Sequence, residues 1–303
     1  MQLFDANGIL PLAEPIIHPM IAADLAEAYG DGSKPTADGT MFRASEALNC
    51  SRAIGFRVAD IPEFVSVPPE VMLTFDVGNR FHERIQGILA RQIGAVAEFV
   101  ATYVPEYSMS AHVDAVYGLD EEMKFTGTSV GANRVAVEIK TVSGYGWLLA
   151  TGGRKSDEGP GPKAEHIAQV AIAANAPNVG AQFIHLIYID KDKQGIAEWF
   201  LDMDEQLPAR YENATPRELA RVELERSVGI ARRLEDGMLP TRYIPGYGRV
   251  ETPPAADTRL EPWNCRYCRW QPICAKLISM PVELKLVHEL VDTMTKERDG
   301  TEG

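Results

Sequence analysis

Two charged residues stand two positions apart in a short apolar stretch of the chain. Residues 134–141 read R-V-A-V-E-I-K-T, which places Glu138 and Lys140 among β-branched neighbours. Side chains at i and i+2 of a strand project to the same side, so this carboxylate and this ammonium should lie together, while Val137 and Ile139 point into apolar packing. Buried charges are costly unless they are paired or bind something. Taken alone, the stretch fits a strand salt bridge as well as a catalytic pair.

One aspartate and one histidine upstream of this stretch could complete a metal site. Asp114 lies in M-S-A-H-V-D-A-V-Y, which alternates as a strand does, and aspartate is depleted inside strands unless it serves as a ligand or a paired charge. His82 adjoins the apolar stripe of a predicted helix, where a histidine is more often a core residue than a ligand. If the two strands are sheet neighbours, Asp114 and Glu138 lie on one face.

Together these residues have the chemistry of a metal-dependent hydrolase. Mg²⁺ and Mn²⁺ prefer oxygen ligands and sometimes an imidazole, so the predicted ligand set is His82, Asp114, Glu138 and the backbone oxygen of Ile139. Such an ion lowers the pKa of a bound water and neutralises charge on a phosphate. Lys140 is then expected to hold or deprotonate the attacking water. The predicted reaction is phosphodiester hydrolysis without a covalent intermediate.

The four cysteines form a second group. Cys265-x2-Cys268-x5-Cys274 lies near the C-terminus, and Cys50 stands far upstream. Four thiolates suit either Zn²⁺ or an iron–sulfur cluster, and their chemistry does not choose between the two. In a cytoplasmic chain, clustered cysteines favour a metal over disulfides. Either centre would tie the C-terminal segment back to the helix expected to carry Cys50, as a clasp around the fold.

Basic and aromatic residues near the candidate site could contact a nucleic acid. Tyr145 and Trp147 fall in a segment rich in Gly and Pro, residues 143–162, which is predicted to be a mobile loop. Bases stack on aromatic rings, and phosphates attract cations. A plain surface loop with solvated charges explains the same residues equally well. The candidate DNA-contact residues are Arg80, Arg84, Tyr145, Trp147, Arg154, Lys155 and Lys163.

The candidate site residues depend on predicted helices and strands to bring them together. Asp76 is expected to cap the helix that carries His82, and Thr215, Pro216 and Glu218 have the pattern of a capped helix start. The predicted helices are residues 42–58, 76–94, 163–175, 215–236 and 281–297. The predicted strands are residues 96–103, 109–117, 134–141, 181–190 and 195–202.

The composition is that of an ordinary globular protein. The chain has 303 residues, of which 45% are apolar and 24% charged, and its net charge is −13. This charge argues against a protein that coats nucleic acid, yet a nuclease needs only a local basic groove. The sequence has no apolar run of about 18 residues and so predicts no membrane span. Its first residues show no export signal, so we expect a cytoplasmic protein.

The order of the motifs resembles that of the PD-(D/E)XK nuclease superfamily. The motifs are Cys50, Gly78-x3-His82-x3-Gln86, Asp114, Glu138-Ile139-Lys140, Gln169 and Cys265-x2-Cys268-x5-Cys274. More narrowly, this order is similar to that of the RecB-like exonucleases with an iron–sulfur cluster, which include the CRISPR-associated exonuclease family, its phage relatives and the nuclease domain of AddB. The resemblance spans residues 42–280.

The resemblance implies a fold and an activity. The fold is α/β, a central mixed β-sheet flanked by helices as in restriction endonucleases, with the C-terminal cysteines clasped to an N-terminal helix. It implies metal ligation by His82, Asp114 and Glu138, a catalytic role for Lys140, and a place for Gln169 in the motif of the following helix. The implied activity is a Mg²⁺- or Mn²⁺-dependent DNA exonuclease that acts on single strands or DNA ends, in recombination, repair or CRISPR-type DNA processing.

The same resemblance implies cofactors and an organisation of the chain. It implies a structural [4Fe–4S] cluster on the four cysteines, with Zn²⁺ as the alternative, in a protein encoded by a bacterium or a phage. The expected division is an N-terminal extension (1–40), a nuclease core (41–250), a cysteine segment (251–280) and a C-terminal helix and tail (281–303). A partner from recombination or CRISPR adaptation, or a homo-oligomer, is compatible with this division.

Two alternatives keep other functions open. A protein of this fold could be a catalytically silent module that binds DNA or assembles with partners. Alternatively, the cysteines could staple a protein of unrelated function with zinc. The complete set of histidine, carboxylates and lysine argues against the first alternative.

Overall fold

The computed structural model describes residues 4–5, 8–9, 41–103, 106–120, 122, 124–127, 133–153, 160–245, 248–249, 265 and 268–300. Within these residues, no helix is both long enough and apolar enough to cross a membrane. The strands are β1 (Phe4–Asp5), β2 (Gly8–Ile9), β3 (Phe42–Arg43), β4 (Val96–Tyr103), β5 (Met109–Leu119), β6 (Phe125–Gly127), β7 (Asn133–Val142), β8 (Phe183–Asp190), β9 (Ile196–Asp202), β10 (Met238–Leu239), β11 (Tyr243–Ile244), β12 (Gly248–Arg249) and β13 (Val282–Glu283). The helices are α1 (Ser51–Val58), α2 (Pro69–Ile93), α3 (Gly144–Thr151), α4 (Ala164–Ala174), α5 (Pro216–Glu235), α6 (Gln271–Ala275) and α7 (Leu284–Gly300), with short 3₁₀ helices at Ala44–Glu46 and Ala209–Tyr211.

Seven of the described strands form one mixed sheet. Its main path runs β3-β5-β7-β8-β9, and β4 and β6 also pair with β5. The pairs β3–β5 and β7–β8 are parallel, and the other pairs of this sheet are antiparallel. The connection between the parallel neighbours β7 and β8 contains α3 and α4, as a parallel pair requires. The expected α/β architecture, a mixed sheet flanked by helices, is confirmed.

The edge of β5 has a gap that becomes important for the site. β4 pairs with β5 from Met109 to Val116 and occupies one edge. On the other edge, β3 pairs with β5 only at Met109 and Ser110, and β7 pairs with it only from Ala115 onward. Residues 111–114 therefore face an opening between β3 and β7.

Each face of the sheet is covered by helices. Alternate residues of β7 and β8, including Ala136, Ile184 and Leu186, pack with the buried side of α4 in one core. The opposite residues, such as Val137 and Ile139, form a second core with the apolar stripe of α2. The prediction that Val137 and Ile139 point into apolar packing, away from Glu138 and Lys140, is confirmed.

A third core joins the N-terminal and C-terminal parts of the described chain. It contains Phe56 of α1, Leu239 of β10, Ile273 of α6 and Val287 of α7. The ring of Trp270 stacks on Phe56 with centroids 6.0 Å apart, and its Nε1 donates to the carbonyl of Ile61 at 2.8 Å. The cysteine-bearing segment is thus packed against α1 through apolar contacts.

Three local predictions were wrong. Residues 42–58 are not one helix, because Leu48 has a positive φ of 58° and the regular helix begins only after Cys50. The helix carrying His82 begins at Pro69, a residue suited to the first helical position, so Asp76 lies inside it and is not its cap. Residues 144–151 form α3 instead of a loop.

Candidate active site

Asp114 fills the place where β5 and β7 separate. The ladder between these strands ends at Ala115 and Val137, and beyond it the Asp114 side chain accepts a hydrogen bond from the amide of Ile139, at 2.6 Å from Oδ2. A carboxylate thus replaces the backbone partner that Ile139 would have had in a continued antiparallel ladder. This hydrogen bond holds Asp114 beside Glu138. The sequence analysis expected these two carboxylates on one face of the sheet.

Helix α2 supplies two side chains to Asp114. Nδ1 of His82 lies 3.1 Å from Oδ1 of Asp114, and Nε2 of Gln86 donates to the backbone oxygen of Asp114 at 3.0 Å. His82 and Gln86 are one helical turn apart, so they project from the same side of α2. Gly78 lies one turn earlier, and a Cβ there would approach Oγ1 of Thr141 to 3.1 Å. The Gly-x3-His-x3-Gln pattern therefore matches the face of α2 that contacts β5 and β7.

Glu138, Lys140 and Gln169 form a closed network on the other side of Asp114. Nζ of Lys140 lies 2.5 Å from Oε1 of Glu138 and donates to Oε1 of Gln169 at 2.9 Å. Nε2 of Gln169 donates to Oε1 of Glu138 at 2.7 Å. Both charged groups are hydrogen-bonded, as buried charges must be. The structure thus contains the salt bridge between Glu138 and Lys140, and Gln169 contacts both of its members.

Glu138 forms the floor of this site. Its side chain is 3% exposed, whereas those of Lys140, Asp114 and His82 are 21%, 17% and 29% exposed. Burial raises the pKa of Glu138 to about 7, the Lys140 ammonium acts in the opposite direction, and the Asp114 carboxylate adds to the increase. Exposure to solvent therefore increases across the candidate site, from the buried Glu138 to the partly exposed His82.

The chemical types of His82, Asp114 and Glu138 suit a divalent ion, but their side chains are arranged as a hydrogen-bonded network. Among the residues that the structure describes, no group of three or more His, Cys, Asp or Glu side chains is arranged to hold a metal. His82, Asp114 and Glu138 nevertheless provide an imidazole and two carboxylates around one point of the sheet, the ligand chemistry that Mg²⁺ and Mn²⁺ accept. The contacts of Glu138 with Lys140 and Gln169 both use Oε1, so Oε2 is the oxygen that could turn to an ion.

A tyrosine and a histidine that the sequence interpretation did not assign lie at the edge of the network. Tyr188 stands opposite Lys140 in the β7–β8 ladder, and its hydroxyl lies 2.5 Å from Nδ1 of His166. His166 precedes Gln169 by one turn of α4. Burial lowers the pKa of His166 well below its usual value, and the charges of Lys140 and Lys163 lower it further, so its imidazole is neutral at neutral pH. The sequence feature that could have identified His166 is its spacing of three residues from Gln169, which places both on one side of a helix.

The candidate DNA-contact residues are placed in different ways. Arg80 and Arg84 are exposed on α2, and Arg80 pairs with Glu83 at 3.2 Å. Each lies two residues from His82, about 200° around the helix, and so points away from the site. Nζ of Lys163 pairs with Glu165 at 3.3 Å.

The aromatic candidates lie on α3, which follows β7. Tyr145 is 57% exposed, whereas Trp147 packs against the cluster of Val142, Ala150 and Tyr188. The Tyr145 ring is thus accessible to solvent, whereas the Trp147 ring is part of the packing. The two remaining basic candidates, Arg154 and Lys155, lie outside the described residues.

The thiols of the other three cysteines lie close enough to the Cys268 thiol to affect its pKa, although the described residues contain no group of three or more cysteines arranged around a single ion. Burial raises the pKa of the Cys268 thiol to about 12, and the nearby thiols of Cys274, Cys50 and Cys265 add to this increase. Cys50 stands directly before α1, Cys274 lies within α6, and the amide of Cys268 donates to the carbonyl of Cys265 at 3.2 Å. A donor set of four thiols suits zinc or an iron–sulfur cluster, because a bound metal stabilises the thiolate form that burial alone disfavours.

Comparison with known proteins gives similarity in fold at low identity. No model of a known protein family matches the sequence, and no curated protein matches it. A solved structure described as "Crystal structure of SSO0001" has a TM-score of 0.44 and 17% identity, with 87% of this chain and 98% of that chain covered. An alkaline exonuclease (LHK-Exo) from Laribacter hongkongensis has a TM-score of 0.36 and 14% identity, with 71% and 98% covered. Both scores are below 0.5, so the functional argument rests on the geometry of the site itself.

Proposed function

We propose that the protein is a metal-dependent nuclease that hydrolyses phosphodiester bonds of DNA, on single strands or at DNA ends. The observation that supports this proposal is the convergence at the β5–β7 separation. Asp114 replaces a ladder partner there, and Glu138, Lys140 and Gln169 close a network beside it. A plain salt bridge would need only Glu138 and Lys140, and it would not explain why α2 and α4 both direct polar side chains to the same point.

Each residue has a role that follows from its position. His82, Asp114 and Glu138 would hold a Mg²⁺ or Mn²⁺ ion, with the backbone oxygen of Ile139 as a further ligand. Such an ion supplies a water of lowered pKa and neutralises charge on the phosphate. Lys140, at the boundary between the buried floor and solvent, would orient the attacking water or contact a phosphate oxygen.

Gln169 would act by positioning. Its amide donates to Glu138 and accepts from Lys140, so it fixes the orientation of both groups at once. If Glu138 held the ion, the carboxamide oxygen of Gln169 would still be a partner for the Lys140 ammonium. Lys140 would therefore keep its direction while its charge becomes available to water and phosphate.

DNA as the substrate, and a role in recombination, repair or CRISPR-type processing, come from the motif resemblance. The supporting feature of the structure is the exposed ring of Tyr145 on the helix that directly follows β7. An aromatic ring beside a phosphodiester site gives an unpaired base a surface on which to stack. This placement favours a substrate with single-stranded character.

A cleavage assay with the Lys140→Ala variant tests the proposal. End-labelled single-stranded and double-stranded DNA are incubated with the purified chain and Mg²⁺ or Mn²⁺. We expect the wild type to degrade DNA and Lys140→Ala to lose activity about 100-fold or more, because a positioned acid–base group contributes about 10² to 10⁴ in rate. The matched control is Lys124→Ala, since Lys124 is an exposed lysine that pairs with Glu122 away from the site.

Two outcomes would contradict this assignment. If Lys140→Ala cleaves DNA as fast as the wild type, Lys140 is not catalytic. If the wild type binds DNA but no divalent ion produces cleavage, the chain is a silent DNA-binding module of the same fold.

We also propose that Cys50, Cys265, Cys268 and Cys274 hold a structural [4Fe–4S] cluster, with Zn²⁺ as the alternative. Their mutual proximity supports a shared metal centre, and it does not distinguish the two metals. Elemental analysis after anaerobic purification tests this part. About four iron atoms per chain with a brown colour indicate the cluster, and about one zinc without iron indicates the alternative. A chain that contains neither metal would contradict the centre while leaving the nuclease proposal intact.

A further inference from the structure

Two arginines are buried beside the cysteines. Arg52 of α1 is 0% exposed and Arg242 is 1% exposed. Arginine remains charged under ordinary conditions, so the fold removes two guanidinium cations from water at this place. A buried cation is costly unless a negative charge lies near it.

The hydrogen bonds of Arg52 satisfy its donors without neutralising its charge. Nε donates to the carbonyl of Pro240 at 2.9 Å, and Nη1 donates to the carbonyl of Ile278 at 2.5 Å. Nη2 donates to the carbonyls of Ser279, at 3.2 Å, and Met280. Within the described part of the chain, none of these partners is a carboxylate.

Among the described residues, the acidic groups that interact with Arg52 are thiols. The Arg52 guanidinium lies close enough to the thiols of Cys274 and Cys50 for negative charge on them to stabilise it, and Cys50 precedes Arg52 by two residues. Arg242 approaches the same segment, since its Nη2 donates to the carbonyls of Cys274 at 2.7 Å and Leu277 at 2.9 Å. Both cations therefore border the group of four cysteines.

Close packing fixes this arrangement. A Cβ on Gly55, one turn after Arg52, would approach Cδ of Pro240 to 2.5 Å, which real side chains do not tolerate. Helix α1 can therefore lie against residues 239–240 only because position 55 is a glycine. This approach brings Arg52 to its carbonyl partners and Cys50 to the C-terminal cysteines.

We propose that Arg52, with Arg242 beside it, is the built-in counter-charge of an anionic four-thiolate metal centre. The inference rests on the proposed cysteine centre and goes beyond it, because it assigns Arg52 as a positioning residue that acts through Cys274. Four thiolates around Zn²⁺, or around a [4Fe–4S]²⁺ core, carry two net negative charges. Arg52 supplies positive charge toward this balance, which explains a buried cation whose hydrogen-bond partners, among the described residues, are neutral carbonyls.

The proposal predicts that the charge of Arg52, and not only its hydrogen bonds, controls the metal centre. Full-length wild type, Arg52→Gln and Arg52→Lys are purified anaerobically with their native metal. We expect Arg52→Gln to hold its metal about 10- to 100-fold more weakly, the usual effect of losing a partner of a metal ligand, and Arg52→Lys to lose less. If the metal is an iron–sulfur cluster, its midpoint potential should move to more negative values in Arg52→Gln and stay near the wild-type value in Arg52→Lys.

The controls separate this role from a structural one. Arg134→Gln removes another arginine that donates to a backbone carbonyl, at 2.9 Å from Val179, and should leave the metal centre unchanged. Circular dichroism reports folding in every variant. Equal loss of fold and metal in Arg52→Gln and Arg52→Lys would overturn the proposal, because Arg52 would then be merely structural. Unchanged metal retention in Arg52→Gln would also overturn it.

The readouts do not depend on DNA cleavage. Metal retention and midpoint potential are measured without a substrate, and the same measurements on Lys140→Ala should match the wild type. A failure of the nuclease assay therefore leaves this test intact. A wild-type chain without zinc or iron would overturn both this inference and the cysteine centre.

Discussion

Glu138 is a buried carboxylate whose charge is only partly compensated by its neighbours. As a buried carboxylate it is unfavourable when ionised, and Lys140 and Gln169 are arranged to compensate for that cost. The compensation is incomplete, since burial still raises its pKa to about 7. A carboxylate in this condition is expected to gain from a divalent ion, because the ion supplies the positive charge that its surroundings lack.

This raised pKa predicts how stability depends on pH in the absence of added divalent ions. Native Glu138 holds its proton up to about pH 7, whereas the unfolded carboxyl releases it near 4.5. The folded state therefore binds more protons between these values, so the contribution of this group to stability falls as pH rises from about 5 to 7. The loss is at most about 3 kcal/mol, because one pKa unit corresponds to about 1.4 kcal/mol.

Urea unfolding at pH 5 and pH 8 measures this effect. Glu138→Gln cannot ionise, so its change in free energy of unfolding between the two pH values should be smaller than that of the wild type. Glu235→Gln, at an exposed position of α5, is the matched control and should follow the wild type. The same pH dependence in Glu138→Gln and wild type would show that Glu138 is ionised across the whole range.

At the scale of elements, the sequence predicts what local patterns determine. Strands β5, β7, β8 and β9 and helices α4 and α5 lie within a few residues of their predicted bounds, because alternation, helical periodicity and the Thr215 capping box are local signals. Predictions from local patterns were wrong at two places, where the backbone conformation does not follow the local sequence preference. The positive φ of Leu48 interrupts residues 42–58, and α3 forms across Gly144 and Gly146 despite their low helix propensity.

The sequence predicted which residues belong to the candidate site better than it predicted the contacts between them. Residue types and spacing identified His82, Asp114, Glu138 and Lys140, and motif order added Gln169. The hydrogen bond from the Ile139 amide to Asp114 was not predictable, because it depends on where β5 stops pairing with β7. That point is set by the competition of β3, β4 and β7 for the two edges of β5, and pairing over such separations leaves no local pattern.

At the scale of the whole molecule, the four cysteines lie on two segments of the chain that are far apart in sequence. Cys50 precedes α1, and the other three lie on the segment between the sheet and α7. The third core already joins these parts through Phe56, Trp270 and Ile273. A metal centre would reinforce that contact by closing a very long loop, the situation in which a cross-link restricts the unfolded chain most. The central sheet would gain stability from a contact far from the candidate site.

This arrangement predicts an uneven effect of Cys50→Ser. Loss of the one ligand on the α1 side should release the C-terminal segment, so amide hydrogen exchange in α6 should accelerate about tenfold or more, while the amides of β7 and β8 should change little because they lie in the central sheet. Hydrogen-exchange mass spectrometry of the full chain measures both regions at once. Asn49→Ser is the matched control, because Asn49 is adjacent and the one described hydrogen bond of its side chain is a 3.5 Å contact to the carbonyl of Ser45. Unchanged exchange in α6 would mean that the apolar contacts of Trp270 and Phe56, and not the cysteines, hold the two ends together.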